Sequence, residues 1–550
     1  MDSAKENKKR KTLVAFTCIK YIFSIGAMLA APLASGRPKY MINGLVELLL
    51  ILLISELLIT FSKVAGIIVN DILLFIYNLQ FAVMFFSRIF ISTVMIENLN
   101  SVRAQSGYYL EYGIALGAVV VFSFLPITEL FQKKKNWTKI LLISLVVVLG
   151  AAEAGLILMG NFVGGPWVKA VQTTKDYIST IQYRKAISLD ISGDNGTEKT
   201  IDPTSQFYKA EIDDDRKKPA ALPERPNVVL ILPEGVSQNI IDDDRQIMPY
   251  LKKLKQESIF FDRYYNHTFA TYRGIIGQLY SGYQLENLDD NHLVSMQSIL
   301  KENGYHTVII NVEPNNSDFS GYLGRMGFDD VITMFAPWRG ASGTISDKDA
   351  FQLLFDTMAQ ESSDTPFFIC MYTFGTHESF GSPDEIFGET EDDELDKFYN
   401  LDFQFGNFME QFKDSGLHDN TVVVFSSDHC TYADKDFMTH FPDQQRLHMM
   451  LDPIPFMIYY KGVSAETIDA KGRNSLCLAP TLLDLLDISG ENMFLGSSLF
   501  SDEHTGMLET CTVIDRDLSN TENGDLKSFT EEEIQERLPI ITQYFIEKLK

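Results

Sequence analysis

Apolar runs of membrane-spanning length crowd the first 162 residues, and no other feature limits the architecture of this chain as strongly. They occupy roughly 12–36, 41–62, 68–92, 109–131 and 138–161, each close to the about 20 residues that a helix needs to cross the hydrocarbon core. Five crossings are expected. The first run follows Lys5, Lys8, Lys9, Arg10 and Lys11, and it is too long, and too soon followed by further runs, to be a cleaved signal peptide. Lys133, Lys134 and Lys135 separate the fourth run from the fifth. Basic loops stay cytoplasmic, so both clusters agree with a cytoplasmic N-terminus, and an odd number of spans then exports everything C-terminal. Glu47, Glu56 and Glu153 interrupt the runs, where a carboxylate is costly unless it is protonated, paired or facing a cavity. Two readings stay open for them: a hydrogen-bonded cluster between helices, and a contact with a lipid head group or acceptor.

Beyond this region the chain turns acidic and rich in turn signals such as Asp194-Asn195-Gly196, as a water-soluble domain does. The expected organisation is a transmembrane domain at 1–162, a linker at 163–225 and an extracytoplasmic domain at 226–550. In the linker, Trp167, Val168, Val171, Tyr177, Ile178 and Ile181 recur at helical spacing between Lys169, Lys175 and Arg184. That pattern fits an amphipathic helix lying at the bilayer interface, or one whose apolar face packs on the domain. The formal net charge of -26 argues against a nucleic-acid partner, because phosphate backbones are bound by clustered Lys and Arg. Cys18, Cys370, Cys430, Cys477 and Cys511 are few, scattered and odd in number, which fits neither a zinc pattern nor a disulfide framework.

Five apolar runs in the soluble part read as buried strands: Asn227 to Leu232, Thr307 to Val312, Phe367 to Tyr372, Thr421 to Phe425 and Ile454 to Tyr460. Amphipathic segments alternate with them at Gln246 to Gln256, Leu293 to Asn303, Lys348 to Gln360, Lys397 to Phe412 and Ala479 to Leu486. This alternation predicts an α/β domain with a mostly parallel central sheet. Ligands of such sheets gather beyond the carboxyl ends of the strands. Glu234, His377, and Asp428 with His429 follow the first, third and fourth runs, so chemistry-bearing side chains collect on one edge.

The segment Asn227-Val-Val-Leu-Ile-Leu-Pro-Glu234-Gly-Val-Ser-Gln resembles the first metal-binding strand and turn of the alkaline phosphatase superfamily, and Ser426-Ser427-Asp428-His429 resembles its later metal pair. Between them, His267-Thr268-Phe-Ala-Thr271-Tyr-Arg273-Gly-Ile-Ile-Gly-Gln-Leu-Tyr-Ser-Gly stands where that superfamily carries its nucleophile, at the start of a helix. Pro453-Ile-Pro-Phe and Leu478-Ala-Pro-Thr-Leu-Leu-Asp-Leu-Leu complete the order. Five apolar runs ahead of such a sulfatase-like domain look like the lipoteichoic acid synthase and phosphoglycerol transferase group, and like the related phosphoethanolamine transferases. The resemblance implies a bacterial cytoplasmic-membrane enzyme that moves a phospholipid head group through a phospho-threonine to an envelope glycan, lipid A or polymer acceptor. Thr268 takes the attacking position, with Thr271 as the alternative one helical turn later, and either residue also suits a helix N-cap. His377 corresponds to a substrate-binding histidine of the resembled families. His440 and His448 follow the Asp428-His429 pair closely enough to reach the same edge, and His267 reads as exposed.

Glu234, Asp428 and His429 with the threonine oxygen make a mixed oxygen and nitrogen ligand set, suited to one divalent metal, manganese or magnesium ahead of zinc. Backbone N–H groups of the helix after Thr268, with Arg273, would face the transferring phosphoryl oxygens. Sulfatases carry a Cys or Ser ahead of x-Pro-x-Arg, and the nucleophile segment here has neither. The synthases carry a tryptophan and an arginine after the second strand, a spacing that Asn315-Asn-Ser-Asp-Phe-Ser-Gly-Tyr-Leu-Gly-Arg325 does not reproduce. Trp338-Arg339 is the nearest substitute. The alternatives are a metal-dependent phosphodiester or sulfuric ester hydrolase of the same superfamily, and a non-catalytic lipid-sensing relative.

Overall fold

The computed structural model describes the chain except residues 1, 36, 98–108, 129–135, 159–163, 176, 179–200, 213–217, 220, 285–290, 292, 335–343, 362–364, 378–383, 390–391, 445, 502–505, 515–516 and 549–550. Trp338-Arg339, the Lys133 to Lys135 cluster and most of the central linker therefore lie outside the described residues. The chain forms two compact units, one of Met1–Ser101, Tyr108–Tyr183 and Asp434–Thr439, the other of Val102–Gly107, Arg184–Ala433 and His440–Lys550.

In the first unit, 3 helices among the described residues are long and apolar enough to cross a membrane: Arg10–Ala34, Tyr40–Ile59 and Lys63–Ser87. The expected count of five is not confirmed among the described residues. The fourth run is helical over Tyr109–Ser123, 15 residues and short of a bilayer; the fifth forms the helix Asn136–Leu158. Polar side chains pair between these helices, as the absence of water in a bilayer demands. Lys20 forms a buried ion pair with Asp71, and Asn70 Nδ2 donates to Tyr21 Oη at 2.6 Å and Ser55 Oγ at 3.1 Å.

Glu47 and Glu153 serve a different end. Glu47 accepts the backbone N–H groups of Trp167 at 2.7 Å and Val168 at 3.2 Å, while Glu153 accepts from Asn43 Nδ2 at 3.4 Å and Gly165 N at 3.3 Å. Residues 166–175 are helical, so Glu47 satisfies donors that a helix start leaves unpaired. The Trp167 indole donates to the Leu73 carbonyl at 3.0 Å and packs on a core that includes Leu74, Tyr77 and Phe81. The start of the linker helix is thus docked among apolar helices. Farther along, Lys209 pairs with Asn492 in an isolated bridge of the second unit.

The second unit is built on an 8-stranded sheet in the order β4-β3-β5-β1-β6-β7-β2-β8. The strands are β1 (Asn227–Leu232), β2 (Ile259–Asp262), β3 (His306–Ile310), β4 (Asp330–Ile332), β5 (Phe367–Tyr372), β6 (Thr421–Ser426), β7 (Phe456–Tyr459) and β8 (Glu466–Asp469). β1 is fully buried as Asn-Val-Val-Leu-Ile-Leu, and it lies parallel to both β5 and β6. A strand hydrophobic on both faces belongs in the middle of a parallel sheet covered by helices. The sheet is mixed, not wholly parallel: β7, the expected run around Ile454 to Tyr460, is antiparallel to β6 and β2. Short β2, β4 and β8 were not expected, nor was the 3-stranded antiparallel sheet of Cys511–Ile514, Asp517–Asn520 and Lys527–Ser528.

Candidate active site

Glu234, Asp428 and His429 leave the carboxyl ends of β1 and β6, which are neighbours in the sheet, and all three are buried. One ligand atom from each lies within 4.8 Å of the others. His429 Nε2 is 3.2 Å from Glu234 Oε1 and 3.5 Å from Asp428 Oδ2. The other ring nitrogen, Nδ1, is 2.7 Å from the Cys430 carbonyl oxygen. A proton on Nδ1 donated to that oxygen leaves the Nε2 lone pair facing the carboxylates.

The two strand ends are tied to each other by hydroxyls and backbone. Ser427 Oγ accepts from Val236 N at 2.9 Å and donates to Pro233 O at 3.0 Å, and Gly235 N donates to Asp428 Oδ1 at 2.8 Å. Asp428 Oδ1 also accepts from His429 N at 2.6 Å, whereas its Oδ2 is buried with no hydrogen-bond partner. An orphaned carboxylate oxygen beside a second carboxylate and an imidazole lone pair fits a divalent cation well, since three acceptors cannot satisfy one another. Burial alone would raise Glu234, but His429, then His377 and the Thr271 hydroxyl, hold it down to about 2. Burial pushes Asp428 well above the usual carboxylate range. Burial lowers His429, yet Asp428 and Glu234 together hold the ring up to about 9, so without a cation Nε2 carries a proton, and a bound cation would displace it to reach the lone pair.

The hydroxyl that faces this trio belongs to Thr271. Its Oγ1 donates to Glu234 Oε2 at 2.6 Å, and Thr271 is the first residue of the helix Thr271–Tyr280. Thr268 is buried three residues earlier, in the turn before the helix, where its carbonyl accepts from Asn266 Nδ2 at 2.7 Å. The helix therefore starts two residues later than the expected start just after Thr268. Ala270, at φ 87, makes the sharp entry; a non-glycine residue in that region stores strain of about 1–3 kcal/mol.

The helix is held against the metal-type loop at two points. A Cβ on Gly274 would come within 2.1 Å of the Asp428 carbonyl oxygen, so only glycine permits this approach. One turn on, Gln278 Nε2 donates to Ser427 O at 2.9 Å and Asp428 O at 3.3 Å. Arg273 is buried in the same helix.

His377 follows β5, stacks on Phe374 with ring centroids 4.7 Å apart, and is close enough to lower Glu234. Beside it, Thr376 Oγ1 donates to the Glu234 carbonyl. His440 pairs with Asp392 at 3.0 Å, and His448 Nδ1 accepts from Met450 N at 3.2 Å. His267 is fully buried, 2.6 Å from Ser475 Oγ, and burial drives it down to about 3; the expectation of exposure is corrected to a neutral core histidine. All five cysteines are free.

A group that sequence reasoning passed over stands above β3. Glu313 is buried; its Oε2 accepts from Asn316 Nδ2 at 3.1 Å and lies 3.4 Å from Tyr272 Oη. Burial pushes its carboxyl up to about 7. A lone Glu after a strand carries no signal in sequence.

Residues 226–488 match the Sulfatase family. The chain is 23% identical over 379 residues to lipoteichoic acid synthase-like YvgJ of Bacillus subtilis, covering 62% of this chain and 60% of that protein. It is 23% identical over 370 residues to lipoteichoic acid synthase 2 of the same organism, covering 60% and 55%. The match thus spans less than two thirds of either relative. Among solved structures, the integral membrane lipooligosaccharide phosphoethanolamine transferase A from Neisseria meningitidis superposes with a TM-score of 0.52 at 13% identity, over 86% of this chain and 95% of that one. A Vibrio parahaemolyticus protein of the alkaline phosphatase superfamily gives 0.50 at 19%, over 64% and 91%. With its buried Glu-Asp-His trio and a threonine at a helix start, residues 226–488 form a sulfatase-like domain, and the chain is similar in sequence to lipoteichoic acid synthases and in fold to a membrane phosphoethanolamine transferase.

Proposed function

We propose that this protein is a membrane-anchored phosphoryl-group transferase that takes the head group of a phospholipid onto Thr271 and passes it to an envelope glycan, lipid or polymer hydroxyl. The observation that carries the reading is the 2.6 Å hydrogen bond from Thr271 Oγ1 to Glu234, at the N-terminus of a helix clamped to the Asp428 loop. Glu234, Asp428, His429 and Thr271 Oγ1 would hold one divalent cation, such as manganese or magnesium, which when bound lowers the pKa of a ligating hydroxyl and offsets phosphoryl charge.

The chain's own residues supply the rest. Glu234 fixes the Thr271 rotamer, so the attacking oxygen is positioned before substrate arrives. Thr271 Oγ attacks phosphorus and a threonine phosphodiester forms as the bond to the diacylglycerol oxygen breaks; the proton given up by the Thr271 hydroxyl passes to the departing oxygen, and diacylglycerol leaves. An acceptor hydroxyl then attacks the same phosphorus, and Thr271 leaves and regains its proton. The unpaired N–H groups of the helix's first turn, with Arg273, favour negative charge on the transferring oxygens. His377 lies on the same rim to bind the substrate phosphate. The apolar helices anchor the chain in the membrane that supplies the lipid donor, with the basic N-terminal segment cytoplasmic and the sulfatase-like domain outside.

The test is diacylglycerol release by the full-length protein in phospholipid vesicles. Thr271→Ala is expected to abolish release while Thr268→Ala retains most of it. Loss in Thr268→Ala with full activity in Thr271→Ala would move the nucleophile, and full activity in both would end the mechanism. A head-group phosphate found free instead of on an acceptor makes the enzyme a hydrolase.

A further inference from the structure

We propose that the first unit holds diacylglycerol, the lipid alcohol that the first transfer releases, in a cavity between its apolar helices. The inference rests on the transferase reading above and gives the leaving group a place of its own. The cavity has a volume of about 560 Å³, and every residue that lines it belongs to that unit. Its walls come from Arg10–Ala34, Lys63–Ser87 and Tyr109–Ser123, with Ala27, Ala31, Ala82, Ala115 and Ala118 where larger side chains would close the space.

Apolar walls inside a bilayer accept any hydrocarbon chain, so they select nothing by themselves. Selection comes from the polar groups. Asn78 lines the cavity and is fully buried. Its Nδ2 donates to Ser123 Oγ at 2.9 Å, while its Oδ1 is buried with no hydrogen-bond partner among the described residues. An amide oxygen left without a donor among apolar helices is costly. Glu111, Asp434 and Asp436 also line the cavity, and no described Lys or Arg does. Apart from the Tyr112 hydroxyl, the cavity therefore offers acceptors and negative charge.

A phospholipid would bring its phosphate to carboxylates with no cation to balance it, and its glycerol backbone has no donor left. Diacylglycerol is neutral, carries the same chains, and has one hydroxyl to donate to Asn78 Oδ1. Asn78 lies roughly 13 Å from Ser87 along the helix at about 1.5 Å per residue, a depth open to a neutral alcohol and costly for an ion. Ala27 and Ala31 lie toward the end of Arg10–Ala34 that is remote from its basic start. In the orientation proposed above, the cavity thus belongs to the outer half of the bilayer, where the released lipid appears. A diacylglycerol held by its hydroxyl cannot attack the threonine phosphodiester again, so the site favours onward transfer over reversal.

The experiment uses the full-length protein in phosphatidylcholine vesicles doped with one of three probes that carry the same photoactivatable acyl chain: diacylglycerol, its O-methyl ether, or phosphatidylcholine. Illumination, proteolysis and mass spectrometry then locate the label. Diacylglycerol should mark the segments around Ala27, Ala82 and Ala115 about fivefold more than either other probe. Asn78→Leu should bring the diacylglycerol signal down to that of the ether, and Ala82→Phe, sized to fill the cavity, should remove it. The ether tests the hydroxyl without any mutation, should a variant fold poorly. Equal labelling by all three probes, or diacylglycerol label spread over outward-facing residues such as Ile22, Ile68 and Val121, would show annular lipid only; it would overturn the assignment and leave the transferase reading intact. Label in the cavity together with no diacylglycerol release from any phospholipid would overturn the transferase reading, and with it the assignment of the cavity to its product.

Discussion

Two buried glutamates one strand apart on the same sheet edge have opposite electrostatic fates. Glu234, after β1, is held down to about 2 by His429, His377 and the Thr271 hydroxyl against its burial, while Glu313, after β3, is pushed up to about 7 by burial, with Asn316 and Tyr272 hydroxyl and amide groups too weak to reverse it. Residue type and depth are alike, so partners decide the outcome. The Glu234 rim is a set of acceptors that calls for a metal-type cation and a nucleophile. Glu313 is a single carboxylate among hydroxyl and amide groups, with no cation among its hydrogen-bond partners.

The largest effect that separates the two rims should come from Glu234→Gln and Glu313→Gln compared side by side. Glu234→Gln is expected to lower diacylglycerol release by about a thousandfold or more and to remove bound divalent metal, measured by elemental analysis of purified protein. Glu313→Gln should keep the metal. Metal loss in both variants would break the division of labour.

Gly274→Ala sharpens the account of the first rim. Its Cβ would meet the Asp428 backbone at 2.1 Å, and a collision with backbone has no flexible side chain to yield. We expect destabilisation of about 1–3 kcal/mol and, because the Thr271 helix must shift from its metal-type loop, a loss of about a hundredfold in activity. Unchanged melting and activity would show that the clamp is not needed.

Asp402 is the control for burial without a site. Burial pushes its carboxyl up to about 7, although it accepts N–H groups of Tyr250 at 2.9 Å and Leu251 at 2.7 Å. A carboxyl raised in the folded state above its ordinary value of 3.8 gives stability that is present below about pH 4 and is lost as pH rises through about 7. Asp402→Asn should therefore flatten the fall in Tm between acidic and mildly alkaline buffer by a few degrees, without touching diacylglycerol release. An unaltered slope would contradict the assignment.

Much of this was legible in the chain, and unevenly. β1, β5 and β6 announce themselves because central parallel strands are apolar on both faces, and that alone brings Glu234, His377 and Asp428 with His429 to one edge. β4 and β8 escape notice because they are 3 and 4 residues long and largely exposed, with no periodicity to find. The threonine is harder for a different reason. Both Thr268 and Thr271 suit a helix start, and the turn that puts Thr271 at the start is made by Ala270 at φ 87, where no glycine marks it. Gly274 and Gln278, which press the helix against the Asp428 loop, favour Thr271 only once their partners are known. In the membrane unit, Glu47 and Glu153 were readable as out of place, but their partners, backbone N–H groups at 165–168, have no side-chain signature.

The central claim is that Thr271 carries the head group, and trapping that intermediate tests it most directly. Full-length protein mixed briefly with labelled phospholipid, quenched in acid and digested should yield a head-group phosphodiester on Thr271, in amounts that fall on addition of acceptor. Label on Thr268, or no covalent label while diacylglycerol is still released, would contradict the account.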